Sequence, residues 1–241
     1  MRFHHDHAEL YIPDGASEAE AFERTTHLGI GAHQDDLEIM AYHGIAACYG
    51  RRDSWFGGVT CTNGSGSSRT GLYADLSDEE MMRVRREEQR KAAFVGEYSF
   101  IAQLAYPSAQ VKDPSDSRLR EDLFHLLEAT RPGTVYTHNP ADKHSSHIAV
   151  VIPTILAIRD LPADARPRWV LGCEVWRNLD WLGDDEKVGL DVSERPNLAS
   201  ALVGLFDSQI SGGKRYDLAT LGRWHANATY FDSHGTDQSQ R

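Results

Sequence analysis

The chain has 241 residues, 40% of them hydrophobic, which is enough for one sizeable α/β unit and requires no second domain. Its 25 Lys and Arg against 36 Asp and Glu leave a formal net charge of −11, which speaks against nucleic acid or an anionic membrane as partner, because phosphate contacts need clustered cations. Cys48, Cys61 and Cys173 are odd in number and widely spaced, which argues against a disulfide scaffold and for a reducing, cytoplasmic location; neither a signal-peptide core nor a membrane-length apolar run is seen.

In chain order, His4, His5 and His7 read as a short edge strand able to pick up a transition metal adventitiously. Residues 17–24 read as a helix, and Leu28-Gly29-Ile30-Gly31-Ala32 as a buried strand ending at His33-Gln34-Asp35-Asp36. A helix over 37–49 and a strand over 55–62 follow, and then the loop Thr62-Asn63-Gly64-Ser65-Gly66-Ser67-Ser68. That loop lacks the lysine of a phosphate-binding loop and reads as a mobile wall of a cleft. The pattern continues with a charged helix over 77–95, a strand over 98–104, a helix over 117–130 and a strand over 134–138. It ends with a helix over 147–159, a strand over 168–176 and a helix over 198–207, and residues 233–241 form a polar tail. Strand and helix alternate in the βαβ manner, which predicts a single-domain, Rossmann-like α/β fold over 1–241 with a mostly parallel sheet flanked by helices.

Ligand sites of such sheets lie at the carboxyl ends of strands, where His33, Asp35 and Asp36 emerge. Imidazole and carboxylate together suit a borderline cation such as Zn²⁺, and three protein ligands with an open position is the usual catalytic arrangement. His33 and Asp36 supply two. His144 and His147 in Tyr136-Thr137-His138-Asn139-Pro140-Ala141-Asp142-Lys143-His144-Ser145-Ser146-His147 stand three apart at a helix start and share one face, so that one can bind metal while the other faces substrate.

At these residues the chain resembles the PIG-L/LmbE family of zinc-dependent N-acetylglucosaminyl deacetylases. Ala32-His33-Gln34-Asp35-Asp36-Leu37-Glu38 is similar to that family's Ala-His-Pro-Asp-Asp-x-Glu box, and His138, Asp142, His144 and His147 match its second box. Leu190-Asp191-Val192-Ser193 and Asp207-Ser208-Gln209 resemble its late elements more weakly. The resemblance implies His33, Asp36 and His147 as Zn²⁺ ligands, with other divalent transition metals admissible, and Asp35 as general base. It implies His144 as the group that stabilises the oxyanion or protonates the leaving amine. Gln34 replaces the family's proline, and Ser145-Ser146 replace Pro-Asp, which removes the usual carboxylate partner of His144. Asp142 is then expected to orient His144 and raise its pKa.

Arg85-x-x-Glu88 is similar to an Arg-x-x-Glu of the family, and the resemblance implies Arg85 near the sugar hydroxyls; Asn63 and Asp113 are further substrate-contact candidates, Asp113 reading also as an exposed loop residue. Glu38 is expected to pair locally. The function these features imply is removal of the N-acetyl group from an N-acetylglucosamine-type sugar or glycoconjugate, with specificity in the loops after residues 62, 104 and 176. Two alternatives stand beside it: an amidase acting on a thiol conjugate or secondary-metabolite precursor, and a catalytically silent zinc-containing binding protein. A homo-oligomer is compatible with each. The acidic surface predicts poor turnover of highly phosphorylated substrates.

Overall fold

Six apolar runs become one sheet in the computed structural model, which describes residues 1–177 and 179–226. The strands are β1 (Glu9–Tyr11), β2 (His27–Gly31), β3 (Phe56–Thr62), β4 (Phe100–Tyr106), β5 (Thr134–His138) and β6 (Trp169–Cys173), in the order β1-β4-β3-β2-β5-β6. Only β1 is antiparallel, pairing Glu9 with Gln103; the other strands run parallel, with Ile30 opposite both Val59 and Thr137. The chain leaves β2 toward β3 and β4, then returns to build β5 and β6 on the other side. The gap between the carboxyl ends of β2 and β5 is therefore the point at which the winding reverses, where such sheets open a crevice.

The helices are α1 (Glu18–Glu23), α2 (Asp36–Met40), α3 (Tyr42–Cys48), α4 (Asp78–Val95), α5 (Ser108–Val111), α6 (Arg118–Thr130), α7 (Ser145–Asp160), α8 (Pro196–Gly204), α9 (Asp207–Ile210) and α10 (Tyr216–Ala226). Alternation along the strands divides the core in two. Leu28, Ile30, Val59 and Val135 face Leu123, Leu127 and Val150 of α6 and α7. On the opposite face Phe56, Ile101 and Tyr136 pack with Leu37, Ile45, Ala92 and Leu202 of α2, α3, α4 and α8. Ser77 and Glu80 close a reciprocal capping box that starts α4.

Several expectations are refined. The helix read over 37–49 is two helices, because Ala41 leaves helical geometry (φ −110°, ψ 16°) while Leu37, Met40, Tyr42 and Ile45 all bury in one core; packing imposes a break that no residue type announces. Residues 4–7 are turn rather than edge strand, and β1 begins only at Glu9. His4 Nδ1 lies 2.8 Å from Asp122 Oδ1, and the His5 ring stacks edge-on against Tyr106. The helix over 198–207 ends at Gly204, and α10 follows where no element is expected from the sequence. All three cysteines are free. Among the described residues no helix is long and apolar enough to cross a membrane; the tail over 233–241 lies outside those residues.

Candidate metal centre

Strand β2 ends at Gly31, and its lack of a side chain lets α2 fold back closely: a Cβ there would lie 3.1 Å from Asp36 Cβ. Asp36 is thereby drawn under the strand end. Its Oδ2 accepts a hydrogen bond from the His33 backbone N–H at 2.7 Å and lies 3.3 Å from His33 Nδ1. From the neighbouring strand end, His147 at the start of α7 brings Nε2 to 3.6 Å from Asp36 Oδ1, and His138 brings Nε2 to 3.2 Å from Asp36 Oδ2. Burial works against the Asp36 charge, but His147, His33 and His138 together hold its carboxyl well below the usual range.

Two groups of three among the described residues have metal-ligand chemistry, with ligand atoms lying within 4.8 Å of one another: His33, Asp36 and His147, and His138, Asp142 and His147. They are not equivalent. The rings of His138 and His147 stack almost in parallel, 3.9 Å between centroids and 7° between planes. Lone pairs lie in the ring plane, so those of stacked rings run side by side and do not converge on one ion. His147 Nδ1 also donates to Asp142 Oδ2 at 2.9 Å, which leaves Nε2 facing Asp36. His33, Asp36 and His147 all line one cleft of about 250 Å³, whereas His138 and Asp142 do not. The donor set of two imidazoles, one carboxylate and an open side fits a divalent transition metal.

Asp142 does not meet the His144 ring, contrary to the sequence expectation. Its Oδ1 accepts the His144 backbone N–H at 2.9 Å and its Oδ2 holds His147, since the turn into α7 brings Asp142 beneath the helix start. The His144 ring instead caps α7, with Nδ1 accepting from the Ser146 N–H at 3.2 Å. Its remaining nitrogen then carries the proton. Burial, reinforced by His147 and His33, lowers the His144 pKa to about 4, so the ring is neutral near pH 7.

Asp35 stands beside this centre, 5% exposed. Its backbone is left-handed (φ 96°, ψ −25°), which turns adjacent carboxylates in different directions. Burial raises its carboxyl to about 6, against the opposing pull of the Arg85 guanidinium. Arg85 Nη2 donates to Asp35 Oδ2 at 3.0 Å and to the Gln34 carbonyl, and Nη1 lies 3.4 Å from both Glu88 Oε2 and Ser208 Oγ. Arg85 therefore lines the cleft with its charge already spent on these partners. Glu38 accepts from Tyr98 Oη and Gln89 Nε2, both at 2.7 Å, and burial raises it to about 7. Asp113 is exposed and bound into its own turn by Ser115, and Asn63 Oδ1 accepts from the Ser65 N–H; neither lines the cleft.

The sequence model of the PIG-L family, described as GlcNAc-PI de-N-acetylase, matches residues 28–157, more than half of the chain and the whole of this centre. The chain belongs to the PIG-L family. No curated protein sequence matches it significantly. Solved structures share the fold at low identity. N,N'-diacetylchitobiose deacetylase from Pyrococcus horikoshii is 17% identical with a TM-score of 0.65, over 86% of this chain and 78% of that one. The 4-carboxy-2-hydroxymuconate hydratase of Pseudomonas putida is 16% identical with a TM-score of 0.64, over 86% and 87%. A zinc-inhibited form of a teicoplanin deacetylase is 14% identical with a TM-score of 0.62, over 87% and 94%.

The part of the cleft outside the PIG-L match is built by the late chain. Trp176, Gln209, Lys214 and Tyr216 line it, facing Gly64, Gly66 and Ser67 from the loop after β3 and Ser108 and Lys112 from the loop after β4. The Trp176 and Tyr216 rings lie 4.5 Å apart. The late Asp207-Ser208-Gln209 element docks on α4, where Ser208 donates through both N–H and Oγ to Glu88 at 2.7 Å. Leu190 and Val192 line a separate groove along β6. Trp176, Lys112, Lys214 and Tyr216 carried no sequence signal beyond the expectation that loops after residues 104 and 176 reach the rim.

Proposed function

We propose that this PIG-L protein is a metal-dependent N-deacetylase that hydrolyses the acetamide of an N-acetylated amino sugar or glycoconjugate. The observation that carries this reading is the convergence of His33, Asp36 and His147 on an open cleft, with the buried Asp35 carboxyl beside them as a spare acid. A purely structural zinc is normally closed by four protein ligands. The activities of the chitobiose and teicoplanin deacetylases that share the fold agree with it.

In this reading His33, Asp36 and His147 hold a divalent cation, zinc by the chemistry of the donors. Once bound, the cation supplies Lewis acidity, polarising the amide carbonyl and easing ionisation of a water molecule. Asp142 holds His147 through Nδ1 and keeps its Nε2 lone pair on the metal side. Asp35 accepts the proton of the attacking water and returns it to the amine that leaves. Arg85 fixes the orientation of Asp35, and its charge offsets part of the cost of burying that carboxylate. His144, neutral and protonated on Nε2, offers a hydrogen bond to the oxygen that becomes negative in the tetrahedral state.

The test is acetate release from a panel of N-acetyl sugars and N-acetylated peptides. Release from sugars that is abolished by a chelator and restored by zinc supports the proposal, as does loss of both bound metal and turnover in His33→Ala, Asp36→Ala and His147→Ala. Full metal occupancy in all three variants, or peptide cleavage without sugar cleavage, overturns it.

A further inference from the structure

We propose that the molecule bound in this cleft carries an anionic group, a carboxylate or a phosphate, held between Lys112 and Lys214. The proposal rests on the deacetylase reading for what is hydrolysed, and on separate residues for what is recognised.

The chain is acidic overall, with only five lysines at net charge −11, yet two of the five line this one cleft of about 250 Å³. Neither has a carboxylate within 4.0 Å among the described residues. Arg69, Arg85, Arg90, Arg118 and Arg120 are all so paired. Lys214 Nζ donates to Tyr216 Oη at 3.1 Å and stands 5.2 Å from the centre of that ring, which leaves its remaining protons for a ligand. The third cation of the cleft, Arg85, is unavailable, because its Nη atoms serve Gln34, Asp35, Glu88 and Ser208.

Lys214 is also placed by the fold. Gly213 before it has φ 101°, and a Cβ there would lie 2.3 Å from Thr70 Oγ1, so the turn is docked against the loop after β3 at a residue without a side chain. Lys112 caps the carboxyl end of α5 on the other side. Ser67, Ser108 and Gln209 line the same cleft and offer uncharged hydrogen-bond partners, which leaves the two ammonium groups as the distinguishing feature of its lining. The buried Asp35 and Asp36 also line the cleft and draw on Lys214, but Asp35 is held by Arg85 and Asp36 by its histidines, so a ligand anion at the two lysines gains charge-assisted hydrogen bonds. The net acidity of the surface therefore does not fix the charge of the ligand, since two lysines without a close carboxylate line the exposed side of the cleft.

The experiment measures dissociation constants for N-acetylglucosamine, N-acetylglucosamine 6-phosphate and N-acetylmuramic acid by calorimetry, with acetate release from each followed in parallel. At least one anionic probe should bind about tenfold more tightly than the neutral sugar at low salt, and the advantage should shrink as ionic strength rises. In Lys112→Gln and Lys214→Gln the loss of affinity for that probe should exceed the loss for the neutral sugar several-fold. The phosphate and carboxylate arms tell which anion is read. Equal affinities for neutral and anionic probes, or equal losses in the lysine variants, overturn the proposal. Anion preference without acetate release leaves the lysine pair standing and overturns the deacetylase reading; acetate release without preference does the reverse.

Discussion

The two walls of the cleft are built on different principles. On the wall formed by the ends of β2 and β5, every group near the reacting position is held by another. Asp36 is gripped by His33 and His138, His147 by Asp142, and Asp35 by Arg85, all buried apart from the half-buried His33. On the wall formed by the late chain, Trp176 and Tyr216 are half-buried and Lys214 is exposed; the two rings meet each other, Lys214 meets Tyr216, and Trp176 rests on the core beneath. A group that moves a proton or holds a metal must be fixed before substrate arrives, because its geometry sets the barrier. A group that recognises a sugar can be ordered by the sugar itself.

If that division is right, damage to the first wall should appear in kcat or metal affinity, and damage to the second in KM. The largest effect is expected at Asp35. Asn keeps the shape, removes the proton acceptor, and should cut kcat by a factor on the order of 10² to 10⁴ with zinc retained. Near-normal kcat with metal bound would move the base elsewhere.

Glu38, buried against Tyr98 and Gln89 two residues beyond Asp36, gives a test through stability. The fold keeps the Glu38 proton to about pH 7, against 4.5 for the ordinary side chain, so the cost of ionising it inside is absent at low pH and complete above 7. Wild type should therefore lose about 3 kcal/mol relative to Glu38→Gln as pH rises from 4.5 to 7, whatever the fixed offset between the two proteins. Denaturant titrations at three pH values measure this, and a pH-independent difference would mean Glu38 is already ionised at low pH.

A smaller loss is expected on replacing Asp142 with Asn, which keeps an acceptor for His147 but removes its charge. Metal affinity should fall by roughly 10- to 100-fold, read by competition with a chromogenic chelator. A shift confined to the pH profile, with metal affinity intact, would return Asp142 to His144. The smallest effect belongs to the second wall. Trp176→Ala should raise KM several-fold, about 1 kcal/mol of lost aromatic contact, and leave kcat within a factor of two. A kcat loss at Trp176 matching that at Asp35 would erase the distinction between the walls.

The same division explains what the sequence made legible. Strand β5 has the bounds the sequence predicts, and β2, α4 and α6 differ by a residue or two, because a short apolar run and a long charged helical stretch are local signals. The residues now seen to converge from β2 and α7 were named beforehand because short-range boxes carry them. What escaped was long-range pairing. That Asp142 turns to His147 rather than His144, and that Arg85 is consumed by Asp35, depends on how the turn into α7 and the face of α4 meet β2. The Trp176, Lys214 and Tyr216 wall escaped as well, since no spacing joins residues that meet only because α10 closes over the end of β6.

The left-handed backbone of Asp35 has a further consequence for anyone selecting sturdier variants of this protein. A non-glycine residue at φ 96° holds that conformation at a cost of about 1 kcal/mol or more, which glycine would not incur. Asp35→Gly should thus relax the loop, but it also leaves the buried Arg85 guanidinium without one of its two carboxylates, so the gain in the backbone is set against the cost of an under-compensated charge. A screen scored by heat tolerance alone weighs Asp35 only by its backbone strain and its pairing with Arg85, blind to the turnover proposed to depend on it, so thermal selection on this scaffold needs an activity readout at every round.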